Sequence, residues 1–278
     1  MSDPAGGPGP GIPPTPSGRS RAELTFVGTA TTILRLGRFT VLTDPNFLSR
    51  GQRAYLGKGL WSRRLTDPAL TADALPPLSA IVLSHLHGDH FDRVARARLD
   101  RTPPVITTPP AAQRLRRYGF RTQGLENWER HTLVDGPEEL SVESLPAIHA
   151  RGLMGRLLPP VMGTLLEHRI DGSVVRRVMI SGDTLTGDHL EVIRERHPEI
   201  DVAVVHLGGT RVLWHTVTMD ADQGLDYLRR IGPRTAVPVH YDDYGVFRSP
   251  LSEFLTAVEG SGLTTRVRTV GRGDRIEL

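Results

Sequence analysis

The chain has 278 residues and a nearly balanced charge, 34 Lys and Arg against 31 Asp and Glu. With 38% hydrophobic and 23% charged residues it has the composition of a soluble globule long enough to bury a substantial core. It contains no cysteine, which excludes disulfides and thiolate ligands, so any metal must be held by His and carboxylate. No apolar run approaches the ~20 residues that span a bilayer, and the N-terminus lacks a basic-then-apolar signal, so a cytoplasmic location is expected.

Residues 1–20 are dominated by Pro, Gly and Ser and are expected to form a disordered tail, with one domain from 21 to 278. Apolar β-type segments follow at Leu24–Val27, Thr32–Leu36 and Phe39–Thr43, with Gly37-Arg38 as a hairpin connection, and they read as a β-meander. Pro45 ends the third strand and leaves Asp44 at its mouth. Asn46 to Leu78 reads as irregular and carries Tyr55 and Trp61; it either shapes a substrate entrance or is a surface excursion.

The apolar run Ala80–Leu83 leads directly into Ser84-His85-Leu86-His87-Gly88-Asp89-His90. Alternate residues of an extended segment point the same way, so His85 and His87 can close on one cation. Gly88 lets the backbone turn and sends Asp89 and His90 toward a second point. Downstream, the pattern predicts a helix over Phe91–Leu99, a strand at Val105–Thr107, a helix over Pro110–Tyr118, and strands at Glu129–Val134 and Leu140–Ile148. This alternation suggests a layered α/β structure. The arginine runs 93–98 and 114–117 read as solvated helix faces, with phosphate attraction as the alternative. Three more apolar runs end in a ligand-type residue, namely His149, Asp183 after Ser181-Gly182, and His240. His206 lies in a strand over Val202–Leu207, and His215 lies on a loop before a helix over Asp220–Ile231. His131, His168, His189 and His197 carry no supporting pattern and read as surface or structural.

The His-x-His-x-Asp-His pattern of residues 85–90 resembles the metallo-β-lactamase superfamily, and the likeness runs from about Leu24 to the C-terminus. The resemblance implies a four-layer αββα sandwich, two face-to-face sheets with helices outside and the metals at one edge. It implies two divalent metal ions, Zn2+ first, with Mn2+ or Fe as alternatives. By that likeness the first metal takes His85, His87, His149 and Asp183, and the second takes Asp89, His90, Asp183 and His240. Asp183 would bridge, which reduces repulsion between dications ~3.5–4 Å apart. Asp44 would lie behind the metals and hydrogen-bond a ligand. Asp89 and Asp183 carry the catalytic assignment, with Asp89 also orienting a water activated by the metals. His215, Tyr241 and Asp242 are the expected substrate contacts.

Within the superfamily, Leu42–Asp92 and Asn127-Trp128-Glu129 are similar to the branch of the N-acyl-phosphatidylethanolamine-hydrolysing phospholipase D. Pro238-Val239-His240-Tyr241-Asp242 is similar to the sugar-phosphate lactonases, ascorbate-6-phosphate lactonase among them. A tRNA-processing ribonuclease shares Ser-His-Leu-His-Gly-Asp-His, but its continuation is replaced here by Phe91-Asp92-Arg93-Val94, so nucleic acid is not the expected partner. The resulting expectation is a metal-dependent hydrolase, of lactonase or phosphodiesterase type, acting on a small soluble molecule. The alternatives are a phospholipase D-like or ribonuclease-type phosphodiesterase and a non-catalytic protein that binds through its metal pocket. Related enzymes are often oligomeric, which makes a homo-oligomer an open expectation.

Overall fold

The computed structural model describes residues 22–212 and 215–278. The segment 1–20 expected as a tail lies outside them, as do Leu213 and Trp214.

In chain order, β1 (Ala22–Gly28), β2 (Thr31–Leu36) and β3 (Phe39–Thr43) form the expected antiparallel meander. A short hairpin follows, β4 (Arg53–Tyr55) with β5 (Trp61–Arg63). Then β6 (Ala80–Leu83), β7 (Val105–Thr107) and β8 (Thr122–Gly124) run parallel to β3, with α1 (Arg93–Arg98) and α2 (Pro109–Arg116) between them. The second half begins with β9 (Arg130–Asp135), β10 (Glu138–Pro146), α3 (Gly152–Leu157), β11 (Met162–Ile170) and β12 (Ser173–Ile180). It continues through α4 (His189–Arg196), β13 (Val202–His206), the hairpin β14 (Arg211–Val212) with β15 (His215–Thr216), and α5 (Ala221–Ile231). It closes with β16 (Thr235–Val239), α6 (Leu251–Glu259), β17 (Arg266–Val267) and β18 (Arg275–Glu277).

These strands make two seven-stranded sheets, in the orders β18-β1-β2-β3-β6-β7-β8 and β17-β16-β13-β12-β11-β10-β9. The last strand, β18, returns to the first sheet and pairs with β1. Side-chain alternation explains the layering. Leu34, Val41 and Val82 on one sheet and Val142, Val178, Val204 and Val237 on the other share one core cluster between the sheets. Their neighbours in sequence point the opposite way. Ile33, Leu42 and Ile81 meet Ala95 and Leu115 of α1 and α2, while Met179, Ala203 and Ala236 meet Leu190, Leu228 and Phe254 of α4, α5 and α6. Each such Val, Leu, Ile, Met or Phe side chain, fully buried, contributes on the order of 1.5–3 kcal/mol. The result is helix, sheet, sheet, helix, as the αββα expectation requires.

Helix termini follow local chemistry. In α5 the buried residues Gly224, Tyr227, Leu228 and Ile231 form one stripe, Asp220 caps its start, and Gly232 in the left-handed region ends it. Helix α1 starts at Arg93, two residues later than expected, because Asp92 is extended and accepts from the Ala95 amide at 2.7 Å as the N-cap. Its second oxygen accepts from the Phe47 and Leu48 amides at 2.5 and 2.7 Å, which ties the start of the 46–78 segment to the helix.

That segment is not a free excursion. The Gly88 amide donates to the Tyr55 carbonyl at 2.9 Å, and the Asn46 side-chain amide donates to the Gly88 carbonyl at 2.8 Å. A Cβ on Gly88 would sit 2.6 Å from the Tyr55 carbonyl oxygen. The glycine therefore serves close approach of β4 to the His-rich loop. Arg64 is fully buried beneath the hairpin; it donates to both the carbonyl and the side-chain oxygen of Asn46, and Tyr244 donates to the same side-chain oxygen at 3.0 Å.

Candidate metal centre

Strand direction assembles the site. Strands β3 and β6 are parallel in one sheet, and β10, β12, β13 and β16 point the same way in the other. Their C-terminal ends meet along one edge of the sandwich and deliver Asp44, the 85–90 loop, His149, Asp183, His206 and His240. Asp44 and His240 leave their strands with φ of 38° and 62°, left-handed values uncommon outside glycine. Gly182, with φ of 61°, makes the same kind of exit possible just before Asp183.

The seven residues assigned by sequence as metal ligands converge. The Nε2 atoms of His85 and His149 lie 2.9 and 3.4 Å from His87 Nδ1. Asp183 Oδ2 is 3.9 Å from His85 Nε2 and 3.2 Å from His90 Nε2. Asp89 Oδ2 lies 3.4 Å from His240 Nε2 and 4.0 Å from His90 Nε2. His85, His87 and His149 form one group with donor atoms close enough to share a metal, and Asp89, His90 and His240 form another. Asp183 reaches both sides.

The outward nitrogens are already committed. His149 Nδ1 faces the Val217 carbonyl and His240 Nδ1 the Leu207 carbonyl, each at 2.9 Å. His85 Nδ1 lies 3.0 Å from the Ser84 hydroxyl, and His90 Nδ1 lies 3.3 Å from Asp44 Oδ2. A carbonyl or carboxylate partner fixes the Nδ1–H tautomer and leaves Nε2 as a lone-pair donor. Facing inward, His90 Nε2, His240 Nε2, Asp89 Oδ1 and Asp183 Oδ1 are buried without a hydrogen-bond partner among the described residues. Buried polar atoms are costly unless paired, and a convergent set of imidazole nitrogens and carboxylate oxygens is the donor set that divalent metals take. The residues fit the group.

Electrostatics divide the site in two. Burial pushes His85 and His149 down from the ordinary imidazole value, and burial with the His149 ring pushes His87 down to about 4. These three are neutral imidazoles, the ligating form. Burial also works against charge on His90 and His240, but there it is overcome: Asp183, Asp44 and Asp89 raise His90 well above its usual value, and Asp183 and Asp89 raise His240. Burial by itself would raise the carboxyls of Asp44, Asp89 and Asp183; the neighbouring imidazoles hold all three below the normal range. The half containing His90 thus demands positive charge.

Asp44 lies where the sequence expected it, behind the cluster. Its Oδ1 accepts from the Ser84 amide at 2.7 Å and the Ser84 hydroxyl at 3.0 Å, and its Oδ2 lies 3.2 Å from His206 Nε2. His206 is fully buried and its ring stacks on His90 at 5.9 Å, so it is a partner of Asp44 rather than a substrate contact. A sequence signal for it existed: Val202, Val204 and His206 alternate on the inter-sheet face of β13. Thr218 and Asp243 were also missed. Thr218 Oγ1 is 3.5 Å from Asp183 Oδ2. Asp243 accepts from the Thr29 amide at 2.5 Å, while the Thr29 carbonyl accepts from the His240 amide at 2.6 Å. Arg272 anchors Asp243 at 2.6 Å.

The three expected substrate contacts do not join the cluster. Tyr241 is buried in the inter-sheet core, its ring 6.0 Å from Phe26, in one cluster with Val237 and Val239 of β16. Burial pushes its hydroxyl up to about 12. Asp242 is exposed and its carboxylate takes the Leu251 amide at the start of α6. His215 is exposed on β15 and shares in none of the groups with metal-binding geometry.

An αββα sandwich with a His/Asp cluster at one edge defines a class of metal-binding proteins. The chain belongs to the beta-lactamase superfamily, whose domain description matches residues 40–241. It is 30% identical over 251 residues to a UPF0173 metal-dependent hydrolase of Methanospirillum hungatei, covering 89% of this chain and 94% of that one. A relative of the same description from Nanoarchaeum equitans is 25% identical over 219 residues, 78% of this chain and 93% of the relative. Among solved structures, an isothiocyanate hydrolase from Delia radicum gut bacteria shares the fold with a TM-score of 0.76, at 19% identity over 91% of this chain and 98% of that one. Among the described residues, no helix is long and apolar enough to cross a membrane.

Proposed function

We propose that this protein is a metal-dependent hydrolase that holds two divalent ions, zinc first, and cleaves a lactone or phosphodiester in a small soluble substrate in the cytoplasm. The observation that carries this reading is the ring of oriented donors. Outward nitrogens are spent on the fold, while inward nitrogens and oxygens are buried and unpartnered. His85, His87, His149 and Asp183 would hold one ion, and Asp89, His90, Asp183 and His240 the other. When bound, the ions supply Lewis acidity that lowers the pKa of a water and polarises the scissile group.

The chain's own residues do the rest. Asp44 and the carbonyls of Val217 and Leu207 keep the imidazoles in the ligating tautomer. Asp183 Oδ2 faces His85 and His90, one from each half of the site, and Thr218 steadies that oxygen. Asp89 Oδ1 has no partner among the described residues, which leaves it to orient the attacking water and take its proton. The names of the relatives support hydrolysis and are silent on the bond cleaved.

The test is metal content by mass spectrometry alongside turnover of bis(4-nitrophenyl) phosphate and a chromogenic lactone. Two ions per chain and activity lost with a chelator are expected. Asp183→Ala should lose metal and turnover together; two tightly held ions in that variant would contradict the bridging role. Bound metal with hydrolysis of neither substrate would favour the non-catalytic binding protein, and salt-dependent cleavage of a tRNA precursor would favour the ribonuclease.

A further inference from the structure

The arginine runs at 93–98 and 114–117 look like ordinary solvated faces in the sequence, but the fold brings them to one place. Arg93 and Arg96 on α1 and Arg114 on α2 line a cavity of about 580 Å³ together with Arg53 and Lys58 of the β4–β5 hairpin. Lys58 is the single lysine of the chain. Among the described residues the one acid in the lining is Asp92, and its oxygens already serve the Phe47, Leu48 and Ala95 amides. Five cations therefore face a concave space with no free carboxylate lining it among the described residues, an arrangement that focuses positive potential.

The same cavity collects exposed apolar surface. Tyr55, Trp61 and Leu157 are 45%, 56% and 49% exposed, and all three line it. Tyr55 and Trp61 face each other across the hairpin with ring centroids 4.9 Å apart. Large side chains left in water at one concave site mark a binding surface better than the same residues scattered. The floor of the cavity includes His87 and Gly88 of the ligand loop. Arg114 and Arg96 are themselves held in place, the first by a 3.2 Å hydrogen bond to the Tyr118 hydroxyl and the second over the Tyr118 ring at 4.9 Å.

We propose that this cavity is the substrate entrance and that it selects a small organic anion carrying a flat apolar group. The anion is met by Arg53, Arg93, Arg96 and Arg114, and the flat group by Tyr55 and Trp61. The inference rests on the hydrolase reading for what happens to the bound molecule, but its recognition chemistry is separable from the metals.

The probe is 2-naphthalenesulfonate, a poor metal ligand, with 2-naphthalenemethanol and inorganic sulfate as its neutral and ring-free counterparts. Binding to the full chain is followed by calorimetry and by tryptophan fluorescence, with and without a chelator. The sulfonate should bind at least about 10-fold more tightly than either counterpart, since a hydrogen-bonded charge carries roughly that discrimination. Its affinity should fall with added salt. Arg53→Ala with Arg114→Ala should weaken it about 10-fold while leaving the alcohol within about 2-fold, and Trp61→Phe should remove most of the fluorescence change. Circular dichroism melts of the variants exclude misfolding as the cause. Equal affinity for sulfonate and alcohol, or undiminished binding in the double variant, would overturn the proposal. So would binding to phosphatidylglycerol vesicles with no competition from the sulfonate, because the anion would then be a lipid headgroup. Sulfonate binding as described with no turnover of any chromogenic substrate would sink the hydrolase reading alone, and turnover without selective sulfonate binding would sink this inference alone.

Discussion

Asp44 offers the sharpest perturbation because it touches no expected metal position, yet it holds two histidines and the start of the ligand loop. Its Oδ1 serves the Ser84 amide and hydroxyl, and its Oδ2 faces His90 Nδ1 at 3.3 Å and His206 Nε2 at 3.2 Å. Asp44→Asn keeps the shape and one acceptor oxygen. The side-chain NH2 that would face His90 cannot accept its Nδ1–H, so the ring is driven toward the Nε2–H tautomer, which cannot ligate. Loss of such an outer partner typically costs 10–100-fold in metal affinity, or about 1.4–2.7 kcal/mol. Asp44→Ala should cost more in a different quantity. It also strands the Ser84 amide in a residue only 3% exposed, which removes about 1–3 kcal/mol of folding stability even without metal. Competition titration against a chromogenic chelator measures the first effect, and urea unfolding of the chelated protein measures the second. The Asn variant should lose affinity with little stability, and the Ala variant should lose both. An Asn variant that holds its metals as tightly as the parent would refute the tautomer reasoning.

Three further outcomes are expected. For the chelated protein, His85, His87 and His149 have folded values below the unfolded one, so the unfolded chain binds extra protons below pH ~6.5 and stability falls on acidification, through about 4 for His87. His90 and His240 have raised values; their contribution is fully present below ~6.5 and is lost as pH rises through their folded values. Urea midpoints should therefore peak near pH 6–7, and a monotonic rise from pH 5 to 9 would contradict the split. Gly88→Ala forces a Cβ against the Tyr55 backbone and should lift the β4–β5 hairpin, costing about 1–3 kcal/mol and exposing 46–66 to limited proteolysis; an unchanged cleavage pattern would count against the contact. Tyr241→Phe should leave turnover within about 2-fold, because the ring packs on Phe26 inside the core, whereas Tyr241→Ala should cost about 3–5 kcal/mol of stability in the same unfolding assay.

The ligand-bearing strands were legible in the sequence for a physical reason. Runs such as Ala80–Leu83 and Val178–Ile180 are apolar throughout because both faces of their sheet are covered, and each stops at a residue that suits a cation far better than a core. Other pairings were harder to read. Strand β11 pairs with β12 across a tight Asp171-Gly172 turn, but β12 begins Ser173-Val174-Val175-Arg176-Arg177, whose polar and exposed residues hide the strand. The pairing of β18 with β1 joins the two ends of the chain, and no local pattern announces it. The hairpin β4–β5 holds only six strand residues and is tied to the His-rich loop by the Gly88 amide on the Tyr55 carbonyl, a contact no local pattern announces. Tyr241 follows His240 in sequence, yet its ring packs on Phe26 in the inter-sheet core, a placement that sequence adjacency does not announce.

The left-handed residues tie these observations together. A non-glycine residue with positive φ costs on the order of 1 kcal/mol or more, and Asp44 and His240 both accept that conformation at a strand end. Glycine would relieve the strain, as Gly182 does one position before Asp183, but glycine carries neither carboxylate nor imidazole. Each strained residue is instead overdetermined by its surroundings. The Asp44 amide donates to the Val82 carbonyl at 3.0 Å while its side chain holds Ser84, His90 and His206; the His240 amide donates to Thr29, whose own amide is held by Asp243 and, through it, by Arg272. These ties cross from one sheet to the other. The inter-sheet core therefore does more than stabilise the fold. It fixes the relative position of two strand edges closely enough that side chains from the ends of six strands, four of them carrying the metal-binding donors, meet within a few ångströms.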